Sequence, residues 1–159
     1  MEIRRATVND IGGLVENRMS FIYSIKNIRP PKSFEDLTSK YIKENMENGS
    51  LAAWIAVEEG QIVSSCILCI TQQLPLPISS NGKIGYVYNV FTIPEYRRKG
   101  LALQALGQMK EYAINNGITL LNLTATEDGL NLYKNAGYEL VEREMRLSLQ
   151  ECPAKRFMA

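Results

Sequence analysis

Residues 84–116 constrain the fold more than any other part of this chain, because a strand-forming run is followed at once by a long amphipathic helix. Residues 84–92 are rich in β-forming side chains, and Pro94 ends that run. A helix is predicted from about residue 98 to residue 116, with Gly117 placed to end it. Its apolar stripe consists of Ala102, Ala105, Leu106, Met109 and Ala113. Such a helix must bury its stripe on a layer of strands, which predicts a mixed α/β domain.

The remaining segments extend this pattern in both directions. Strand periodicity predicts a first short strand at residues 3–6, a hairpin from residues 51–57 and 62–71, and a strand at residues 118–124. Two helices precede residue 49, the first opened by Thr7 with Asp10, and a short helix is predicted at residues 127–136. Two last strands are expected at residues 138–141 and 145–149. We therefore expect one domain over residues 1–159, with about seven mostly antiparallel strands in a mixed sheet and about four helices.

Composition excludes several classes of function. The 159-residue chain has a formal net charge of +1, so no overall electrostatic field favours binding to nucleic acid or to an anionic membrane. No apolar run approaches the roughly 20 residues that span a bilayer, and residues 1–5 lack the apolar core of a signal peptide, which predicts a cytoplasmic protein. Histidine is absent, which excludes Ser–His and Cys–His nucleophile pairs and His-ligated metal sites, and we expect no metal. Cys66 and Cys69 fall in a predicted strand, where their side chains would face opposite sides as small apolar residues.

The segment from Tyr96 to Ala102 contains a local electrostatic conflict. Three cations stand at the start of the predicted helix, where the helix dipole and the unpaired N–H groups favour negative charge. A bound phosphate would resolve this conflict, and the small residues Gly100 and Ala102 would let the backbone approach it closely. A solvated basic turn explains the same residues without a ligand, so charge and spacing leave both interpretations open.

Two motifs resemble those of a known family. Arg97-x-x-Gly100-x-Ala102 resembles the Arg/Gln-x-x-Gly-x-Gly/Ala signature of the GNAT superfamily of acyl-CoA-dependent N-acetyltransferases. Residues 132–138 are similar to the Leu-Tyr-x-x-x-Gly-Phe element of that family, with Tyr138 in place of the usual Phe. The predicted order of helices and strands matches the family across almost the whole chain. The chain is thus identified as resembling an acetyltransferase that uses acetyl-coenzyme A.

The resemblance implies a role for each matching residue. Backbone amides of residues 98–103 would hold the pyrophosphate of coenzyme A, and the strand before them would pair with the pantetheine arm. That strand would carry a bulge and splay from the next one, so that the fourth and fifth strands leave a gap for the thioester. A backbone N–H near Val90 or Phe91 would stabilise the oxyanion, and Tyr133 would protonate the leaving thiolate. Thr126 stands where many members carry an asparagine that contacts pantetheine. The cofactor-binding residues implied are Val90, Phe91, Thr92, Arg97, Arg98, Lys99, Gly100, Leu101, Ala102, Leu103 and Thr126.

The acceptor side is less determined. The acetyl group is expected to pass to a small-molecule or peptide amine, with Tyr86, Tyr88 and Asn89 lining the acceptor site. No general base is evident, and Glu127 and Asp128 are explained as well by the preference of a helix start for acidic residues. Tyr133 also has an alternative, as a half-buried packing residue. A non-catalytic acyl-CoA-binding module of the same fold stays open as a second function, and a homodimer as one oligomeric state.

Overall fold

A computed structural model describes residues 1–149 of the chain, which form five strands and four α-helices. The strands are β1 (Ile3–Arg5), β2 (Leu51–Glu58), β3 (Gln61–Gln72), β4 (Lys83–Thr92) and β5 (Leu120–Leu123). The α-helices are α1 (Ile11–Lys26), α2 (Lys32–Glu47), α3 (Leu101–Asn115) and α4 (Leu130–Asn135). Residues 150–159 of the predicted domain, including the third cysteine, Cys152, lie outside the described residues.

The strands form one sheet in the order β1-β2-β3-β4-β5. Neighbouring strands are antiparallel except for β4 and β5, which run parallel. The predicted hairpin joins β2 to β3 through Glu59 and Gly60, whose left-handed φ angles of 49° and 79° suit a two-residue turn. The parallel pair requires a crossover, and α3 supplies it. The sheet is therefore mixed and mostly antiparallel, as expected.

The sheet separates two apolar clusters. Trp54, Cys66, Leu68 and Val87 meet the buried stripe of α3 on one face, which is the α3 face. Leu14, Val15 and Met19 of α1 and Ile42 of α2 cover the other face, where Ile67 and Cys69 point. Cys66 and Cys69 thus belong to opposite clusters, which confirms the prediction for this Cys-x-x-Cys spacing. No helix within residues 1–149 has the length and apolar character needed to cross a membrane.

The prediction of about seven strands is wrong for the last two. Residues 138–149 form no strand, and their apolar side chains are exposed, with Val141 at 84% and Met145 at 94%. Arg143 adopts a φ of 79°, which interrupts an extended conformation. Residues 139–144 instead border a cavity of about 410 Å³ beside β5 and α4. A β-forming sequence becomes a strand only when it pairs with another strand or packs on a buried face. The short β5 pairs with neither of the two predicted segments.

The start of α3 also differs from the prediction. The helix begins at Leu101, three residues after the predicted Arg98. Arg98 and Gly100 have left-handed φ angles of 63° and 75°, which no right-handed helix can include. These residues form a loop between β4 and α3, and that loop is part of the candidate site.

Candidate active site

The loop before α3 presents a set of unbonded backbone donors. The first N–H of the helix to find a partner is that of Gln104, which donates to the Gly100 carbonyl at 3.0 Å. The N–H groups of residues 101–103 therefore have no intrahelical acceptor, and no side chain caps them. Left-handed Arg98 and Gly100, separated by Lys99 with a negative φ, form the alternating backbone that makes an anion-binding concavity. A diphosphate fits this arrangement of donors.

The three cations of the loop have different partners. Arg97 donates from Nε to the carbonyl of Thr92 at 3.0 Å, which ties the loop to the end of β4. Lys99 places its Nζ 4.7 Å from the centre of the Tyr96 ring. Arg98 and Lys99 are exposed at the mouth of the loop. Arg97 therefore holds the shape of the loop, while the other two cations are accessible to an anion.

Strand β4 carries a bulge just before this loop. Ile67 pairs with Tyr88 and Ser65 pairs with Phe91, so Asn89 and Val90 together oppose the single residue Cys66. Asn89 has a left-handed φ of 52°, and such bulges leave the extra residue outside the hydrogen-bond ladder. The backbone that the resemblance assigns to the oxyanion therefore lies at this bulge, with Val90 inside the bulge and Phe91 at the pair that ends it.

A buried polar cluster lies beneath the bulge. Asn17 of α1 donates its side-chain amide to the Ile62 carbonyl at 3.3 Å, so its Oδ1 faces the sheet as an acceptor. Ser65 donates to this oxygen at 2.7 Å, and Asn89 donates Nδ2 to the same oxygen at 3.1 Å and to the Ser65 hydroxyl at 2.8 Å. The Oδ1 atom of Asn89 is buried and has no partner within the described residues. Asn17, Ser65 and Asn89, here the bulge cluster, connect α1 to the bulged strand.

A gap opens between β4 and β5 beside the bulge. The two strands pair from Ile84 with Leu120 to Val87 with Leu123, and no pairing continues beyond that point. Residues 88–92 of β4 therefore have no strand neighbour on this side among the described residues. Main-chain groups there are available to an extended ligand, in the way that a strand edge receives a peptide.

Tyr133 lies at the rim of the α3-face cluster, where Val90 also packs. The Gly129 backbone approaches the ring so closely that a Cβ there would lie 2.9 Å from Cε2 of Tyr133. Tyr138 meets the same ring edge-on, with 5.9 Å between the centroids. Burial, with a smaller contribution from Cys66, raises the pKa of Tyr133 to about 12. The phenol is therefore protonated throughout the physiological range and can act as a donor.

The three residues predicted for the acceptor site separate in the structure. Tyr86 and Tyr88 lie side by side with 4.7 Å between ring centroids, and Tyr88 is 43% exposed. The Tyr86 hydroxyl bonds to that of Thr124, just beyond β5, and so links the paired part of β4 to the end of β5. Asn89 is only 3% exposed and lies in the bulge cluster, so it supports the site from below instead of lining it.

The residues from Thr126 to Asp128, after β5, are exposed to solvent. Thr126 is exposed and precedes a single 3₁₀ turn, Glu127–Gly129, with the Gly129 N–H donating to its carbonyl at 3.0 Å. Glu127 and Asp128 are exposed in the first turn of that element and make no ion pair with another described residue. This position agrees with the interpretation of both as residues favoured at a helix start.

Sequence reasoning missed Asn17, Ser65 and Thr124. Their partners are distant in the chain, with 72 residues between Asn17 and Asn89, so no local pattern reports the contact. One signal was available for Asn89, because asparagine is among the few residues that adopt a left-handed conformation readily within a strand bulge.

The bulged strand, the gap beside it and the donor-rich start of α3 together define the fold class of acetyltransferases that use acyl-coenzyme A. The sequence model of the Acetyltransferase (GNAT) family matches residues 19–138. The chain belongs to this family.

Solved structures share this fold. A protein described as a predicted acetyltransferase from Clostridium acetobutylicum, crystallised with acetyl-CoA, is 26% identical, with a TM-score of 0.85 over 93% of this chain and 96% of that one. A GCN5-related N-acetyltransferase from Ralstonia eutropha JMP134 is 19% identical, with a TM-score of 0.81 over 94% and 99% of the two chains. The aminoglycoside N-acetyltransferase AAC(6')-Iy in complex with CoA is 16% identical, with a TM-score of 0.73 over 95% of each chain. No curated protein matches the chain significantly.

Proposed function

We propose that this protein is an enzyme that transfers an acetyl group from acetyl-CoA to a primary amine by direct attack. The observation that carries the proposal is the gap between β4 and β5, which begins at the bulge of β4. One end of the gap region leads to the unbonded amides at the start of α3, and Tyr133 packs against the α3-face cluster, as Val90 of β4 does. Acetyl-CoA is bound in the related structure from Clostridium acetobutylicum.

The cofactor would extend along the free side of β4. Backbone amides of residues 98–103 would bind the diphosphate, with Arg98 and Lys99 balancing its charge. Main-chain groups of Val90 and Thr92 would pair with the pantetheine amides, and Thr126 would contact the pantetheine as well. This direction brings the thioester to the bulge, next to the one stretch of β4 that regular pairing does not use.

The chemistry then needs two groups from the protein. The amine nitrogen attacks the acetyl carbon, a C–N bond forms, and the C–S bond breaks to release the thiolate. A backbone N–H at Val90 or Phe91 would stabilise the negative oxygen that forms in between. Tyr133 would donate its proton to the leaving sulfur. A phenol with a pKa of about 12 is a weaker acid than a free thiol, whose pKa is about 8.5. Complete transfer is therefore favoured only where the thiolate is also shielded from water.

The amine must lose a proton before or during attack. No carboxylate lies on β4, and Glu127 and Asp128 are exposed after β5. We propose that the proton leaves through water held by polar groups such as Tyr86 and Tyr88. Glu127→Gln and Asp128→Asn should then each keep activity within about tenfold, since a positioned base contributes about 10²–10⁴-fold. A hundredfold loss in either variant, with acetyl-CoA affinity intact, would identify that carboxylate as the base.

The test of the proposed function combines binding and turnover. Calorimetry with acetyl-CoA measures binding, and release of the coenzyme A thiol over a panel of primary amines measures transfer. We expect both. Binding without transfer to any amine would support the alternative, a non-catalytic acyl-CoA-binding module of the same fold. Absence of both would refute the assignment of the gap to the cofactor.

A further inference from the structure

A second cavity, of about 280 Å³, opens on the sheet face opposite α3. Helix α2 contributes Phe34, Leu37 and Tyr41, whose spacing puts them on one helix face. Strands β3 and β4 contribute Cys69 and Tyr88. Leu37 is 67% exposed and Tyr41 is 52% exposed, although both border a concave apolar surface. Exposed apolar side chains gathered around a cavity are typical of a binding site.

Arg18 of α1 is the one charged residue among the described residues that line this cavity. It is partly buried, and it occupies a position of the apolar stripe, four residues after Leu14 and three after Val15. Within residues 1–149 its guanidinium has no ion pair or hydrogen bond, whereas Arg4 pairs with Asp10 and Arg29 with Glu16, both at 2.8 Å.

Within the part of the chain that the structure describes, the surroundings of Arg18 offer no negative charge at neutral pH. Burial lowers the pKa of its guanidinium because the charged form loses hydration. Its titratable neighbours are the Cys69 thiol and the Tyr88 phenol, and burial raises the pKa of both, so both are neutral. A partly buried cation without a partner is unfavourable, and an anionic group of a ligand would pair with it and offset its lost hydration.

Tyr88 connects this cavity to the candidate active site. Its side chain lines the cavity, its ring contacts Tyr86, and its backbone directly precedes the bulge at Asn89. A ligand held at Arg18 and lying across the Tyr88 ring would therefore direct its other end toward the gap between β4 and β5. Acceptor and acetyl donor would then meet from opposite faces of the sheet.

We infer that this cavity binds the acceptor, and that the acceptor is a small amine that carries a carboxylate at the opposite end of an apolar body. The inference rests on the proposed function. The carboxylate would bind the Arg18 fork in a bidentate manner, and the apolar body would contact Phe34, Leu37 and Tyr41. None of the described residues that line the cavity is acidic, so a polycationic acceptor of the aminoglycoside type would be repelled by Arg18.

Two matched acceptors test the carboxylate. Para-aminomethylbenzoate and para-aminomethylbenzamide share the ring and the amine and differ only in the charged group. We expect kcat/KM to be about 10- to 100-fold higher for the benzoate, the range of a charge-assisted hydrogen bond. Arg18→Gln should abolish this preference by lowering the rate with the benzoate far more than the rate with the benzamide, and Arg18→Lys should restore part of it. Lys43→Gln, which removes a cation of α2 that does not line the cavity, should preserve the preference.

The outcomes separate this inference from the proposed function. Equal rates for the two acceptors in the wild type, or an equal loss of both in Arg18→Gln, would overturn the inference while leaving acetyl transfer in place. If neither amine is acetylated, the proposed acetyl transfer fails for these two acceptors. Carboxylate binding in the cavity is then tested separately, by calorimetric titration of the benzoate into the protein with coenzyme A. Binding that Arg18→Gln weakens at least tenfold supports the carboxylate site. Absence of binding, or binding that Arg18→Gln does not change, overturns it.

Discussion

Replacing Asn89 by glycine tests whether the bulge cluster positions the active site. The change removes two hydrogen bonds donated by Nδ2, at 3.1 and 2.8 Å, each contributing about 1 kcal/mol to stability. It also removes the buried, unpartnered Oδ1, whose desolvation costs about 1–3 kcal/mol. Glycine suits the φ of 52° but orders more backbone on folding, at about 0.5–1 kcal/mol. These effects partly cancel, so the free energy of unfolding should fall by no more than about 2 kcal/mol.

The effect on activity should be larger than the effect on stability. Asn89 links the bulge to α1 through Asn17, and without it the proposed oxyanion donor at Val90 or Phe91 would lose its fixed position. A displacement of about 1 Å at such a group can cost about 10²-fold in rate. We expect kcat to fall by about 10- to 100-fold, with little change in the affinity for acetyl-CoA, whose diphosphate binds elsewhere.

The assay pairs urea unfolding with coenzyme A release under saturating acetyl-CoA. Asn27→Gly is the matched control, because Asn27 has a similar φ of 55° but lies exposed at the end of α1. It should leave kcat unchanged. Wild-type kcat in Asn89→Gly would refute the reasoning, because strand pairing alone would then hold the bulge. A loss in Asn27→Gly of the same size would attribute the effect to added flexibility in general.

Three further predictions concern the cofactor side. Gly100→Glu should nearly abolish coenzyme A binding in calorimetry, because the new carboxylate would repel the diphosphate and glutamate is strained at the φ of 75° that this position adopts. Gly107→Glu, at an exposed position of α3, should bind coenzyme A normally, and wild-type affinity in a folded Gly100→Glu protein would contradict the proposed diphosphate site. Tyr133→Phe should lower kcat by about 10²–10⁴-fold with acetyl-CoA affinity preserved, and Tyr138→Phe should not; an unchanged rate, with chemistry rate-limiting, would make Tyr133 a packing residue. The pKa of Tyr133 is raised to about 12, so the phenol stays protonated below that pH. We therefore expect kcat/KM to rise with pH as the amine deprotonates, without a fall below about pH 11. A fall in kcat/KM near pH 10 that Tyr133→Phe removes would contradict this pKa for Tyr133.

Local sequence patterns were sufficient for most of the fold. Apolar periodicity located α1 and α3 because each buries a stripe on the sheet, and the turn at Glu59 and Gly60 identified the hairpin. The last two strands were predicted wrongly because β-propensity describes a side chain that fits a sheet, without showing that a neighbouring strand exists. Residues 138–149 have that propensity but no partner strand among the described residues.

The sequence by itself predicted the motif residues of the candidate site, because the loop from Arg97 to Ala102 and the element around Tyr133 are each contiguous in the chain. Only the tertiary structure decided what lies around them. The contacts of Asn17 with Ser65 and Asn89 join α1, β3 and β4, and Arg18 meets Tyr88 across the same elements. Hydrogen bonds and ion pairs depend on distance in space, and side chains 48 to 72 residues apart in the chain are brought together only by folding.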